Sequence, residues 1–174
     1  LPDSTGFVFD QARFINSYSN YSDLFYYDLA KKKNKRITTG LRLREPSLSP
    51  DASKIAAIQM WQSNTQLVVL NFDGSQLQVL YTPPVFHKVA NPFFADGNTL
   101  FFTESSLQGQ ILLQKFNLTT QERTLVSLTG VTQINSLNFE SGGVSFIARD
   151  NGMQNLYWSD NLFQSQQRLT HTET

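Results

Sequence analysis

The apolar positions of this chain fall in short runs rather than in long stripes. The runs are four to eight residues long, rich in aromatic and β-branched side chains, and bounded by Gly, Pro, Asn, Asp and Ser. Alternation with a period of two shows at Phe7 and Phe9, and at Leu77 and Val79 with Gln76 and Gln78 beside them. Such runs predict β-strands. Asp73-Gly74 and Asp96-Gly97 tolerate the left-handed conformations that a tight turn needs. No segment carries a convincing helical stripe. The stretch from Asp28 to Arg36 has no apolar face and reads as a charged hairpin turn.

The strand pattern repeats. Leu1 to Asp10, Leu48 to Ile58, Phe94 to Phe102 and Phe139 to Ile147 each join a turn of Pro, Asp, Gly or Ser to an apolar strand. The strands start at Phe7, Ile55, Leu100 and Val144, which are 48, 45 and 44 residues apart. A second series follows at Leu24–Leu29, Leu67–Phe72, Ile111–Leu118 and Leu156–Asp160. A third is centred on Ile37, Val79, Leu125 and Leu169, spaced by 42, 46 and 44. Three landmarks sharing one period near 44, with about four short strands in each, are the signature of β-propeller blades. The expected fold is all-β. It is one propeller segment over residues 1–174, with about four blades of four-stranded antiparallel sheet in units 1–45, 46–90, 91–133 and 134–174.

In units two to four a strand precedes the turn, at Pro46–Ser49, Asn91–Ala95 and Ile134–Phe139. The first unit lacks this inner strand, because Leu1 already lies at the turn. The expectation is therefore part of a larger propeller. Roughly two to four further blades would come from the same polypeptide, or a second copy would close the ring.

Several motifs sharpen this reading. Pro46-x-x-Ser-Pro-Asp51, Lys54-Ile-Ala56, Leu67-x-x-Leu70 and Asp73-Gly-Ser75 resemble the PD40 repeat, which is WD40-like, of TolB-like β-propellers. Ala52 stands where that pattern has Gly. Tyr27-Asp28-Leu29 with Arg36-Ile-Thr38 resembles the outer half of such a blade. Arg149-Asp-Asn-Gly152 before Asn155-Leu-Tyr157 resembles a segment found there and in propellers of prolyl-oligopeptidase-like enzymes. The resemblance covers nearly the whole chain. It implies a propeller and, more weakly, a periplasmic or envelope-associated place. It implies no single activity, because these propellers accompany many.

Composition removes several classes of function. Of the 174 residues, 40% are hydrophobic, 13% aromatic and 16% charged, enough for a core and too apolar for disorder. The polar positions are filled by 15 Gln and 13 Asn. No apolar run approaches the length of a transmembrane helix. The absence of Cys excludes disulfides, thiolate zinc sites and cysteine nucleophiles. Fourteen Lys and Arg balance fourteen Asp and Glu, which argues against bulk nucleic-acid binding. No Gly-x-Ser-x-Gly, His-Glu-x-x-His or phosphate-binding glycine loop occurs.

The remaining polar features divide into turn chemistry and candidate contacts. Asp3, Asp51, Asp73 and Asp96 sit where an aspartate caps its own turn. His87 and His171 read as surface loop residues. Glu104, Asp150 and Asp10 read as solvated loop charges, with cation or amine binding as the functional alternative. Half of all Lys and Arg lie in residues 31–44. Lys31 to Lys35 fall on an outer hairpin, and Arg42 and Arg44 in a connection to the next blade. They read as solvated charge, or as a site for an acidic partner or anionic headgroups. A nucleic-acid site would interleave aromatics there, and none occur. Arg13 to Ser22 reads as a long aromatic loop, with Trp61 in the matching loop of unit two. Tyr, Trp, Asn and Ser make good contact surfaces at low entropic cost.

The chemistry thus points to a non-catalytic scaffold that binds a protein or peptide, without cofactor or metal. The candidate contacts are Arg13, Tyr18, Tyr21, Trp61, Arg149 and Asp150, followed by Arg42 and Arg44. The alternative is an accessory propeller that gates substrate for a peptidase or other hydrolase domain outside this sequence. Glycan binding by the aromatic loops is a third, weaker reading.

Overall fold

The computed structural model describes residues 5–15, 19–131, 133–140, 142–150, 152–160 and 162–172. Every regular element among them is a strand. The first sheet holds β1 (Gly6–Ile15), β2 (Ser19–Asp28) and β3 (Lys33–Arg36). The second holds β4 (Leu43–Leu48), β5 (Lys54–Trp61), β6 (Asn64–Asn71) and β7 (Gln78–Tyr81). The third runs through β8 (Lys88–Phe94), β9 (Thr99–Ser105), β10 (Ile111–Asn117) and β11 (Arg123–Leu125). The fourth runs through β12 (Gln133–Glu140), β13 (Gly143–Asp150), β14 (Met153–Ser159) and β15 (Gln166–Arg168). All ladders are antiparallel, and a single pair, Ile111 with Ile134, joins the third and fourth sheets. Among the described residues the first sheet has three strands and the others have four.

The sheets stack face to face, and strand periodicity decides which side chain enters which interface. Ile55, Ala57, Val68 and Leu70 point toward the first sheet and pack with Leu24 and Leu43. Their neighbours in sequence, Ala56, Ile58, Leu67 and Val69, point the other way, into a cluster with Leu100, Phe102 and Phe116. Phe101 and Leu113 then face the fourth sheet and pack with Ile134. Middle sheets are covered on both sides, so their strands need apolar residues at consecutive positions. The sequence runs Ile55 to Ile58, Leu67 to Leu70 and Leu100 to Phe102 supply them. Full burial of a side chain such as Phe102 contributes about 1.5–3 kcal/mol. In the fourth sheet β14 alternates strictly, with Asn155, Tyr157 and Ser159 buried and Leu156 and Trp158 more than a third exposed.

The inner strands share a distortion. Register slips between Arg44 and Ser47, between Ala90 and Phe93, and between Ile134 and Ser136. Glu45 and Asn91 take φ of 55° and 51° at this bulge, each followed by a proline. An irregular residue leaves its N–H without a ladder partner. Asp10 accepts the Glu45 N–H at 3.2 Å, and Glu45 accepts the Asn91 N–H at 2.7 Å. The bulge amides of the second and third sheets are thus each clasped by a carboxylate from the sheet before.

Turn chemistry follows the sequence reading at Asp51, Asp73 and Asp96, which accept from the N–H two residues on. Asp3 lies outside the described residues. Ala52 takes φ of 55°, so the turn keeps the left-handed geometry of a glycine without having one. One landmark shifts. The N–H groups of Ile37, Val126 and Leu169 donate to Leu24, Leu113 and Leu156, so Val126 rather than Leu125 is the third member of that series.

Candidate functional site

Residues of β1, β2 and the β5–β6 hairpin, with Arg42 and Arg44, build a cleft of about 340 Å³ between the first two sheets. β1 and β2 form one wall through Ala12, Tyr21 and Ser22. The start of the inner strand forms the floor through Arg42 and Arg44. The β5–β6 turn closes it with Met60, Gln62 and Ser63. Arg13 to Ser22 is not the loop that the sequence suggested. β1 and β2 are ten residues each and stay paired out to Ile15 and Ser19, so this segment is largely an extended two-stranded ribbon. Alternation held through the polar residues Gln11, Arg13, Ser22 and Asp23, which hid the strand extension. Arg44 likewise belongs to an inner strand that starts at Leu43, and Arg42 lies just before it.

The cleft is cationic. The Arg42 guanidinium donates to the Tyr21 hydroxyl at 2.9 Å, and its central carbon lies 4.0 Å from the Tyr21 ring centroid. A ring below a guanidinium fixes its plane and leaves its charge uncompensated. Among the described residues no carboxylate lines the cleft. Glu45 has Oε1 at 3.3 Å from Arg44 Nε, and its other oxygen accepts from Asn91. Arg44 Nε is shielded from water and has no hydrogen-bond partner, so the ion pair is poorly directed. Arg42, Gln62 and Ser63 all take positive φ, of 57°, 45° and 66°. Three non-glycine residues in this region on one cleft are a concentration of local strain.

The candidate contacts are placed as follows. Tyr21, Arg42 and Arg44 meet in the cleft. Trp61 ends β5 between two lining residues and is half exposed. Arg13 is exposed, pairs in register with Tyr21, and leans over the Phe25 ring at 5.6 Å. Arg149 and Asp150 end β13, the corresponding strand two sheets away, and do not reach the cleft. Asp150 lies 3.5 Å from Arg168. Tyr18 lies outside the described residues. Met60, Gln62 and Ser63 escaped the sequence reading, because only the sheet stacking places the β5–β6 turn opposite Tyr21.

A second polar constellation corrects two expectations. Glu104 is not a solvated loop charge. It lies within β9, 3% exposed, and accepts from Tyr81 at 3.1 Å, Arg123 at 3.3 Å and Gln114 at 3.4 Å. His87 is held to it, with Nδ1 at 2.7 Å from Oε1. Burial, and then the Glu104 charge, pushes the Tyr81 phenol up. Asp10 is also engaged, at the Glu45 bulge. No group of three or more His, Asp or Glu that could hold a metal occurs among the described residues.

No protein-family model matches the chain, and no curated protein matches it. Solved structures do. Over 99% of its length the chain superposes on 42% of TolB from Acinetobacter baumannii, with a TM-score of 0.71 at 16% identity. It matches an oligogalacturonate lyase solved with manganese over 99% of this chain and 52% of the lyase, with a TM-score of 0.67 at 16% identity. It also matches a prolyl endopeptidase over 99% of this chain and 27% of that one, with a TM-score of 0.66 at 12% identity. The chain thus has the TolB-like β-propeller fold and spans less than half of the TolB structure.

Proposed function

We propose that this chain is a non-catalytic propeller module that binds a polypeptide on the end carrying the β5–β6 turn and the Tyr21–Arg42 pair. The observation that supports this most is the convergence of Tyr21, Arg42 and Arg44 on one cleft beside the half-exposed Trp61. Phe14 on the same ribbon and Phe86 in the connection after β7 are 81% and 71% exposed, which adds apolar surface that a partner could cover. Rigid sheets holding aromatic and Arg anchors suit a partner that docks without reordering the backbone.

The resemblance to TolB suggests a periplasmic or envelope-associated setting. Further sheets, from the same polypeptide or a second copy, are expected over the open faces. Those faces carry Phe7 on the first sheet and Ile147, Leu156 and Trp158 on the fourth, all more than a third exposed. The second reading is a gating propeller for a hydrolase, which the likeness to a prolyl endopeptidase favours. The test is selection of peptides from a displayed library against the whole protein. Trp61→Ala should weaken the selected peptides by about 30-fold, the loss of a hot-spot aromatic. Selected peptides that ignore Trp61, Tyr21 and Phe14 variants would sink the reading.

A further inference from the structure

We infer that the Arg42–Arg44 cleft is a carboxylate pocket, seating one aspartate, glutamate or C-terminal carboxylate of the bound polypeptide. This rests on the polypeptide-binding reading above and adds the chemistry of the ligand.

The argument begins with charge. Arg42 and Arg44 bring two positive charges to the cleft, and Glu45 beside Arg44 offsets one. Among the described residues the Arg42 guanidinium has only the neutral Tyr21 phenol as partner. Glu45 and Asp10, whose carboxylate takes the Glu45 N–H, lie on the Arg44 side, so Arg42 is the cation left for a ligand, which one carboxylate matches and a phosphate dianion exceeds. Geometry agrees. The Arg42 plane is fixed by the Tyr21 ring, so its fork is organised before a ligand arrives. A planar fork and a planar carboxylate pair through two parallel N–H···O bonds. Ser63 and Gln62 add neutral donors from the facing turn. Ala12 and Met60 add apolar surface to the lining, against which the methylenes of an acidic side chain can rest. A volume of about 340 Å³ is at the small end of ligand sites and fits a side chain or a chain terminus rather than a folded element.

The experiment uses the whole protein carrying Trp158→Phe, so that Trp61 is the only tryptophan of this 174-residue segment. Tryptophan emission is followed at constant ionic strength while four probes are added. They are Ac-Ala-Glu-Ala-NH2, Ac-Ala-Gln-Ala-NH2, Ac-Ala-Ala-OH and inorganic phosphate. The glutamate peptide or the free-acid peptide should produce a saturable change, and which one binds tells a side-chain from a terminal carboxylate. The glutamine peptide should not. Arg42→Gln should weaken the response about 10-fold or more, the usual worth of a charged hydrogen bond. Arg42→Lys should fall between, because it keeps charge and loses the fork. Glu45→Gln should raise affinity for phosphate by removing the offsetting charge. Equal binding of the glutamate and glutamine peptides, indifference to Arg42→Gln, or phosphate binding tighter than both carboxylates overturns the inference. Library peptides that need Trp61 but no acid would overturn it while leaving the polypeptide-binding reading intact.

Discussion

Glu104 offers a demanding test of how the second and third sheets hold together. Its carboxylate takes hydrogen bonds from Tyr81 on β7, Gln114 on β10 and Arg123 on β11, and meets His87 from the connection between the sheets. Glu104→Ala removes every acceptor at once. The cost is not that of an isolated buried charge, because the Arg123 and His87 side chains are 39% and 29% exposed and water can take them over. Gln114 is 4% exposed and cannot be rescued. A buried donor left without a partner costs about 1–3 kcal/mol, and lost charged hydrogen bonds add roughly 1 kcal/mol after solvation. The expected loss is about 3 kcal/mol. In a chain of this size that lowers the melting temperature by roughly 6–12 °C. Glu104→Gln keeps one acceptor oxygen and should lose about half as much. Urea unfolding of the two variants and of Arg123→Met gives the numbers. In the Glu104→Ala background Arg123→Met should cost less than in wild type, since the carboxylate is gone and the Tyr81 ring, 4.4 Å from the guanidinium carbon, remains as a partner. A Glu104→Ala protein within about 0.5 kcal/mol of wild type would refute the claim that this cluster joins the sheets.

Four further outcomes follow from single residues. Gly74 has φ of 90°, and a Cβ there would run into the Ile37 carbonyl, so Gly74→Ala should destabilise by about 1–3 kcal/mol in thermal unfolding. Ala52→Gly should do the opposite, gaining about 0.5–1 kcal/mol by relieving a left-handed alanine, and a loss of stability would contradict that geometry. Thr38→Val removes the Oγ1 that accepts the buried Leu24 N–H at 2.9 Å, which should cost about 1–3 kcal/mol by chemical denaturation. Asp51 and Asp160 are each held down at about 2, chiefly by the Ser49 and Ser165 hydroxyls. A carboxylate whose folded value lies below its unfolded one near 4 stabilises above pH 4, and that support fades between about pH 4 and 2. Stability profiles of Asp51→Asn and Asp160→Asn should therefore be flatter than wild type across that acid window.

The repeat was legible because a sheet interface imposes a period of two on each strand and a stacked array imposes a longer one on the chain. Consecutive apolar residues at Ile55–Ile58 marked a sheet covered on both sides, and the turns at Asp51, Asp73 and Asp96 carried their own chemistry. The ends of β1 and β2 were not legible, because polar residues there are paired through backbone hydrogen bonds that ignore side-chain type. Tyr21 and Arg42 were each marked as contacts, but their union depends on two strands 21 residues apart meeting across a sheet boundary. Glu104 was missed for a related reason. An acidic residue after an apolar run looks like a loop from sequence, and only the four donors gathered around it by three strands and a connection make its burial tolerable.

The bulge clasps bear on how such an array could be lengthened or shortened. Asp10 grips the Glu45 amide, and Glu45 grips the Asn91 amide in turn. Both grips use the same coupling, a carboxylate toward one side and a kinked inner strand toward the other. A gene rearrangement that excised residues 46–91 would deliver the next bulge amide, that of Asn135, to the vacated Glu45 carboxylate. A duplication of the same stretch would insert a new kink that carries Asn91 instead of an acid, so the joint after it would lose its charge. By this logic deletion preserves a charged joint, whereas faithful duplication adds an uncharged one unless Asn91 is replaced by an acid.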